Sequence, residues 1–112
     1  MDHLEKYRDA IESILTDVAR ITPSTADVTY KTIFDRRADS YGLLAVGWND
    51  DRRVHHFVIH IEIINGKVWL QEDNTDLVIA EELERAGIPK SDIVLGFHPA
   101  DVRPFTEYAV AA

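Results

Sequence analysis

Asn65-Gly66 constrains this chain more than any other pair of its residues. Asn-Gly is the favoured dipeptide for a two-residue type I′ turn, because both positions need positive φ and few other pairs supply it cheaply. The residues on either side are rich in isoleucine, valine and tryptophan, so the turn predicts a β-hairpin. A two-residue turn also sets the register: Ile64 opposes Lys67, Ile63 opposes Val68, Glu62 opposes Trp69 and Ile61 opposes Leu70. Continued without interruption, it pairs His60 with Gln71, Ile59 with Glu72 and Val58 with Asp73. Side chains alternate along a strand, so the pairs sort onto two faces. One face carries Phe57, Ile59, Ile61, Ile63, Val68 and Leu70 and reads as core. The other carries His56, Val58, His60, Glu62, Trp69, Gln71 and Asp73, and any site is to be sought there first.

The rest of the chain arranges itself around that hairpin. Residues 2–21 predict an amphipathic helix, with Leu4, Tyr7, Ile11, Ile14, Leu15 and Val18 on one stripe and most charges elsewhere. Asp2 and Glu5 resemble a capping box, and Pro23 ends the helix before the Pro23-Ser24-Thr25 loop. Residues 27–35 predict a strand with Val28, Tyr30 and Phe34 on one parity. Residues 41–48 predict a second strand, in which Gly42 and Gly47 mark a bulge or a close approach. Residues 53–64 and 67–73 complete a four-stranded antiparallel meander. Thr75 is a good N-cap for a second helix running to about Ala86, with Gly87 as its C′ residue and Pro89 beyond. The apolar run Ile93–Phe97 predicts a short strand or extended segment. The tail 98–112 has Pro99, Pro104, Phe105 and Tyr108 and no clear period. Helix, strands, helix and short strand make an α+β domain with its helices on one face of the sheet.

Charge and composition narrow the function. The 112 residues suit one domain, 1–112. No apolar run is long enough for a transmembrane helix, and the charged start MDHLEKYRD lacks the apolar stretch of a signal peptide, so a cytoplasmic location is expected. With no cysteine there is neither a disulfide nor a thiolate metal site. Twenty acidic and 12 basic residues give a net charge of −8. Affinity for nucleic acid comes largely from neutralised phosphates, so this balance argues against unaided DNA binding. A basic stripe would have to be assembled from Arg36, Arg37, Arg52, Arg53 and Arg103.

The chemistry-bearing residues give no motif. His56 and His60 lie about 13 Å apart along their strand, too far for one metal. His60, Glu62 and Asp73 could converge on a metal, or His60 beside Gln71, Glu62 and Asp73 could form a small acid–base centre. The plainer reading is a hydrogen-bonded histidine on a polar sheet face. There is no phosphate loop, no HExxH and no nucleophile elbow, so neither catalytic nor metal-binding residues are assigned, and no cofactor is expected.

Short segments spread over the whole chain carry a resemblance. They are Leu4-Glu5-Lys6-Tyr7-Arg8, Thr32-Ile33-Phe34-Asp35, Val46-Gly47-Trp48 and Arg52-Arg53-Val54. The hairpin adds Ile59-His60-Ile61-Glu62-Ile63, Asn65-Gly66-Lys67-Val68-Trp69 and Gln71-Glu72-Asp73 with Thr75. The end adds Gly87-Ile88-Pro89-Lys90-Ser91-Asp92-Ile93-Val94-Leu95, Phe97-His98-Pro99 and Phe105-Thr106-Glu107-Tyr108-Ala109. In this order and spacing the chain resembles the XisI family, the fdxN element excision controlling factor proteins of cyanobacteria. Gly96 departs from a frequent alanine of that family and Asn74 from a frequent glycine. The resemblance implies an XisI-like α+β domain. It also implies a non-enzymatic role in programmed DNA-element excision during heterocyst differentiation, beside a separate recombinase. The implied partner is a nuclease-like XisH-type protein, with DNA engaged only through the complex.

Three expectations compete for the second sheet face. It is a docking surface for that partner or for a second copy of the chain, formed by His60, Glu62, Trp69, Gln71 and Asp73 with His98 and Arg103 of the tail at its rim. Alternatively, the C-terminal tail, with His98, Arg103, Phe105 and Tyr108, folds over the face and buries it within the chain. In the third, the same face serves a small-ligand-binding domain or a small enzyme.

Overall fold

The computed structural model describes residues 3–22 and 27–110. The order is α1 (His3–Ile21), β1 (Val28–Asp35), β2 (Ser40–Asn49), β3 (Arg52–Ile64), β4 (Lys67–Asp73), α2 (Ile79–Arg85) and β5 (Ile93–Leu95), with 3₁₀ turns at Lys90–Asp92 and Arg103–Phe105. The proposed capping residue Asp2 and the loop Pro23-Ser24-Thr25 lie outside the described residues.

The strands form one sheet in the order β1-β2-β3-β4-β5. The first four make the antiparallel meander, and β5 adds in parallel beside β4. The sheet is therefore mixed and five-stranded: the expected antiparallel meander forms, and the expected short strand joins it as a fifth, parallel member rather than standing apart from it. Parallel neighbours need a crossover, and α2 supplies it. The tail extends the edge by one bridge, Val94 to Ala109, with Ala109 N donating to the Ile93 carbonyl at 2.8 Å.

Both helices pack on one face of the sheet. Tyr7, Ile11, Leu15 and Val18 of α1 are buried, as the stripe predicts, with Leu4 and Ile14 partly covered at its margins. They meet Tyr41, Leu43, Ile59, Ile61, Val68 and Leu70 of the sheet and Ile79 and Leu83 of α2 in one core. A buried side chain of this size contributes about 1.5–3 kcal/mol. Polar clamps hold α1 in place. Arg36 reaches Glu5, Asp9 and Glu12, while Arg8 grips Asp39 in the β1–β2 turn, and Tyr41 Oη donates to the same carboxylate at 2.9 Å.

The second helix starts later than Thr75 predicts. Asp73, not Thr75, caps it: one carboxylate oxygen accepts from Thr75 N and Oγ1, and the other from Ile79 N at 3.1 Å. Thr75 Oγ1 instead accepts from Leu77 N in a local turn, so 75–78 stays non-helical. The C-terminus follows its prediction. Gly87 has φ +102, its N–H reaches Glu84 O, and Ile88 N reaches Leu83 O, the paired bonds of a Schellman motif.

Candidate functional site

The hairpin turn forms as its sequence predicts, with Asn65 at φ 51 and Gly66 at φ 80. The register holds from Ile64↔Lys67 to Ile61↔Leu70 and then shifts. A bulge on β4 leaves Gln71 unpaired, so His60 opposes Glu72 and Ile59 opposes Asp73. A second bulge, on β3 at Val58, lies between the pairs Leu43↔Ile59 and Leu44↔Phe57. An extra residue in one strand reverses the facing of everything beyond it.

Four expected placements are thereby corrected. Val58 turns toward the helices and packs on the core. His56 pairs with the buried Ala45 on that same side. Asp73, paired with the buried Ile59, turns to α2 as its cap. Conversely Phe57, expected in the core, lies on the open face: its ring stacks on His60 with centroids 5.2 Å apart. Gly42 makes room for that ring, since a Cβ there would come within 2.5 Å of it. Gly47 marks the expected close approach, where a Cβ would meet the Asp27 carbonyl oxygen at 1.9 Å.

The pairings lay out the uncovered face in rows. At one end Asp35, Ser40, Glu62, Trp69 and Val94 lie side by side across five strands. Next come Ile33, Gly42, His60 and Glu72, then Lys31, Leu44 and Phe57, then Thr29, Val46 and His55. Ile33 is 46% exposed, and Leu44, Val46 and Phe57 are half-buried with no helix over them. This contiguous apolar centre is what sequence reasoning missed. Its only sequence signal was the glycine at 42, opposite the aromatic residue it accommodates.

The predicted site residues divide into groups. Glu62, Gln71, Trp69 and Arg103 come together. Gln71 Nε2 donates to Glu62 Oε1 at 3.1 Å, and the Arg103 guanidinium lies 5.0 Å over the Trp69 ring. Arg103 Nε is buried there with no hydrogen-bond partner among the described residues. Gly96 lets the Gln71 amide lie beside Trp69; a Cβ there would fall 2.3 Å from Gln71 Oε1. His60 sits one row away, bonded to Ser40 Oγ through Nε2 at 2.9 Å. His98 is half-buried in the tail with its ring against Phe97. Asp73 is separated from His60 and Glu62, so these three do not converge on a metal, and among the described residues no other histidine and carboxylate cluster does.

Among its described residues the tail covers the Trp69 corner and no other part of the face. Arg103 lies on it, while Phe105 points out 88% exposed and Tyr108 crosses to the helix side, donating to Glu84. Burial and the neighbouring Glu84 carboxylate push the Tyr108 phenol above its ordinary range.

Residues 1–110 match the family model described as XisI protein. The chain belongs to the XisI family. No curated protein matches it. Among solved structures it is similar to an XisI-like protein from Anabaena variabilis ATCC 29413, at 40% identity and a TM-score of 0.92 over 96% of this chain and 99% of that one. It is equally similar in sequence, 40%, to the fdxN element excision controlling factor XisI from Anabaena variabilis ATCC 29413, with a TM-score of 0.87 over 98% of this chain and all of that one. The mixed five-stranded sheet with its two helices is thus the XisI fold, and the resemblance seen in the segments extends over residues 1–110.

Proposed function

We propose that this XisI-family protein is a non-enzymatic accessory factor controlling programmed excision of a DNA element. In this reading it works in the cytoplasm by docking an XisH-type protein on its open sheet face. The observation that carries the role is the end-to-end correspondence with a protein named as the fdxN element excision controlling factor. The surface supports the mode of action. Ile33, Leu44, Val46 and Phe57 form an uncovered apolar centre, rimmed by Lys31 on one side and by Glu62 and Glu72 on the other. Such patches on soluble domains usually mark contacts. The carboxylates of the rim and the net charge of −8 suit a basic partner and speed its encounter.

Indirect engagement of DNA is consistent with how the arginines are used. Arg36 is held by Glu5, Asp9 and Glu12, Arg53 stacks on Trp48, and Arg103 stacks on Trp69. Three of the five arginines that a DNA-binding stripe would need are thus committed within the chain.

Co-purification with an XisH-type protein tests the reading. Phe57→Asp should abolish capture while the circular dichroism of the isolated chain stays unchanged, and Trp69→Ala should weaken it. Full capture by both folded variants would refute the docking face. Capture of duplex DNA by the isolated chain at sub-micromolar affinity would refute the accessory role.

A further inference from the structure

The two edges of the sheet are treated differently by the chain. At the β5 edge the tail adds its bridge from Val94 to Ala109. At the β1 edge no described strand pairs with the outer side. An eight-residue edge strand with open backbone groups is a template for another strand, and folded chains usually blunt it with a bulge, a proline or charges. β1 has no proline and no bulge against β2, and its only charged residues are Lys31 and Asp35.

We propose that β1 pairs antiparallel with β1 of a second copy of the chain, on a two-fold axis through Ile33, so that two sheets become one. Backbone direction is the first argument. Trp48 N donates to Asp27 O at 2.8 Å, one pair beyond Val28↔Gly47, so Asp27 points its backbone groups at β2. Ile63 N donates to Asp39 O at 3.0 Å, which points Asp39 at β3 and, by alternation, Ser40 and Gly42 at β1. Both ends agree. Lys31, Ile33 and Asp35 bond inward to β2, while Tyr30, Thr32 and Phe34 turn their N–H and C=O groups outward. Outward residues must oppose outward residues in such a pair, so the axis passes through a residue and not between two.

Side-chain chemistry selects that residue. An axis through Lys31 sets two ammonium groups opposite each other. One through Thr32 sets Lys31 against Ile33, and one through Phe34 sets Ile33 against Asp35. Through Ile33, Lys31 of each copy meets Asp35 of the other, Ile33 meets Ile33, and Thr32 and Phe34 exchange their outward hydrogen bonds. Opposite charges directly across a ladder stabilise it and like charges destabilise it. Both charges are available. Lys31 has no ion pair among the described residues, and Asp35 accepts from Arg37 N and Ala38 N through Oδ1 alone, which leaves Oδ2 for the second copy. Ile33, 46% exposed, gains cover.

Lys31, Ile33 and Asp35 all belong to the open face, so the axis stands perpendicular to the sheet and both open faces look the same way, uncovered. The pairing is therefore independent of what docks on that face. The net charge of −8 on each copy opposes association at low salt, and screening over about 8 Å at 0.15 M relieves it.

Sedimentation velocity of the full chain in about 0.15 M salt, from about 5 to 500 µM, tests this over the range expected of a small, transient interface. A monomer–dimer equilibrium should appear. In the dimer the amides of Thr32 and Phe34 should exchange with solvent at least about tenfold more slowly than in the monomer. Lys31→Glu and Asp35→Lys should each weaken self-association by at least about tenfold, and an equimolar mixture of the two should restore it, because each chain then presents the charges that the other lacks. Thr32→Pro removes an outward donor and no β1–β2 bond, so it should abolish pairing at unchanged circular dichroism. The proposal falls if the unaltered chain stays monomeric throughout, if it dimerises without protecting those two amides, or if the mixture of the two folded variants stays monomeric. None of these outcomes bears on partner capture by the open face.

Discussion

On the helix side of the sheet Leu43, Ile59, Ile61 and Val68 are inaccessible to solvent, whereas their strand neighbours on the open side, Leu44, His60, Glu62 and Trp69, keep part of their surface. Both sets come from the same strands, so propensity and position in the chain are nearly matched. What differs is cover. The buried side is apolar, with α1 and α2 laid over it. The open side mixes Phe57, His60, Glu62 and Trp69, a composition too apolar for a purely solvated face and too polar for a core. A face of that kind suits a contact made after folding, when stability is already secured by the other side.

The comparison is broken most directly on the core side. Ile61→Ala removes a side chain with no solvent exposure at the centre of the hairpin. It should destabilise the chain by about 2–5 kcal/mol, read from the midpoint shift in urea. A loss under about 1 kcal/mol would mean the two faces are less unequal than their burial implies.

Asp39 joins the layers, and its effect depends on pH. The Arg8 hydrogen bonds, with help from Tyr41 and against burial, hold its carboxyl below the ordinary carboxylate range. A carboxyl depressed in the folded state stabilises fully above its unfolded pKa, about 3.9, and loses that contribution as the pH falls through the folded value. Asp39→Asn should therefore cost about 1.5–3 kcal/mol at pH 7. Below pH 4 the gap between the two proteins should narrow. Asparagine tolerates the positive φ of 51 at this position, so backbone strain does not confuse the result. A gap that stays constant to pH 2 would assign the effect to something other than the ion pair.

Asp73→Ala is expected to act next most strongly and only on folding. It removes the acceptor for Ile79 N and for Thr75, and should cost about 0.5–2 kcal/mol, the usual value of a lost cap. Partner capture should be unchanged. Impaired capture by a folded Asp73→Ala protein would restore Asp73 to the docking face, from which the β4 bulge removes it.

That residue shows where the sequence was legible and where it was not. The Asn65-Gly66 turn, the α1 stripe and the Gly87 stop all follow from local chemistry, because each is decided within about five residues. The first four hairpin pairs follow from the turn alone. Bulges are different: Val58 and Gln71 become the extra residues through how three strands and α2 fit together, and neither is a glycine or proline that would announce it. One extra residue sends Phe57 out and His56 in, so only part of the expected layout of that face holds. Glu62, Trp69 and Gln71 lie together on it, while Asp73 moves to the helix side. The parallel pairing of β5 is also non-local, since it depends on where α2 delivers the chain.

The smallest stability change is expected at an exposed apolar position of the open face, and it is the most informative about cover. Ile33 sits on the edge strand β1, beside Gly42, and is 46% exposed with no helix above it. Replacing it by aspartate in the isolated, monomeric chain should alter stability by no more than about 0.5 kcal/mol, since surface changes away from caps and cores rarely do more. The same change places a charge within the proposed contact, where an unpaired, desolvated carboxylate is costly. Capture of an XisH-type partner should then fall by at least tenfold at unchanged melting temperature. At concentrations where copies pair through β1, Ile33→Asp should also lower the melting temperature, by a margin that grows with protein concentration. Mass action links stability to concentration only when association accompanies folding. Sedimentation of the unaltered protein at two concentrations separates the monomeric from the paired chain, and a dimer across the face, unlike one along the edge, would have to part before any partner could reach Leu44 and Phe57.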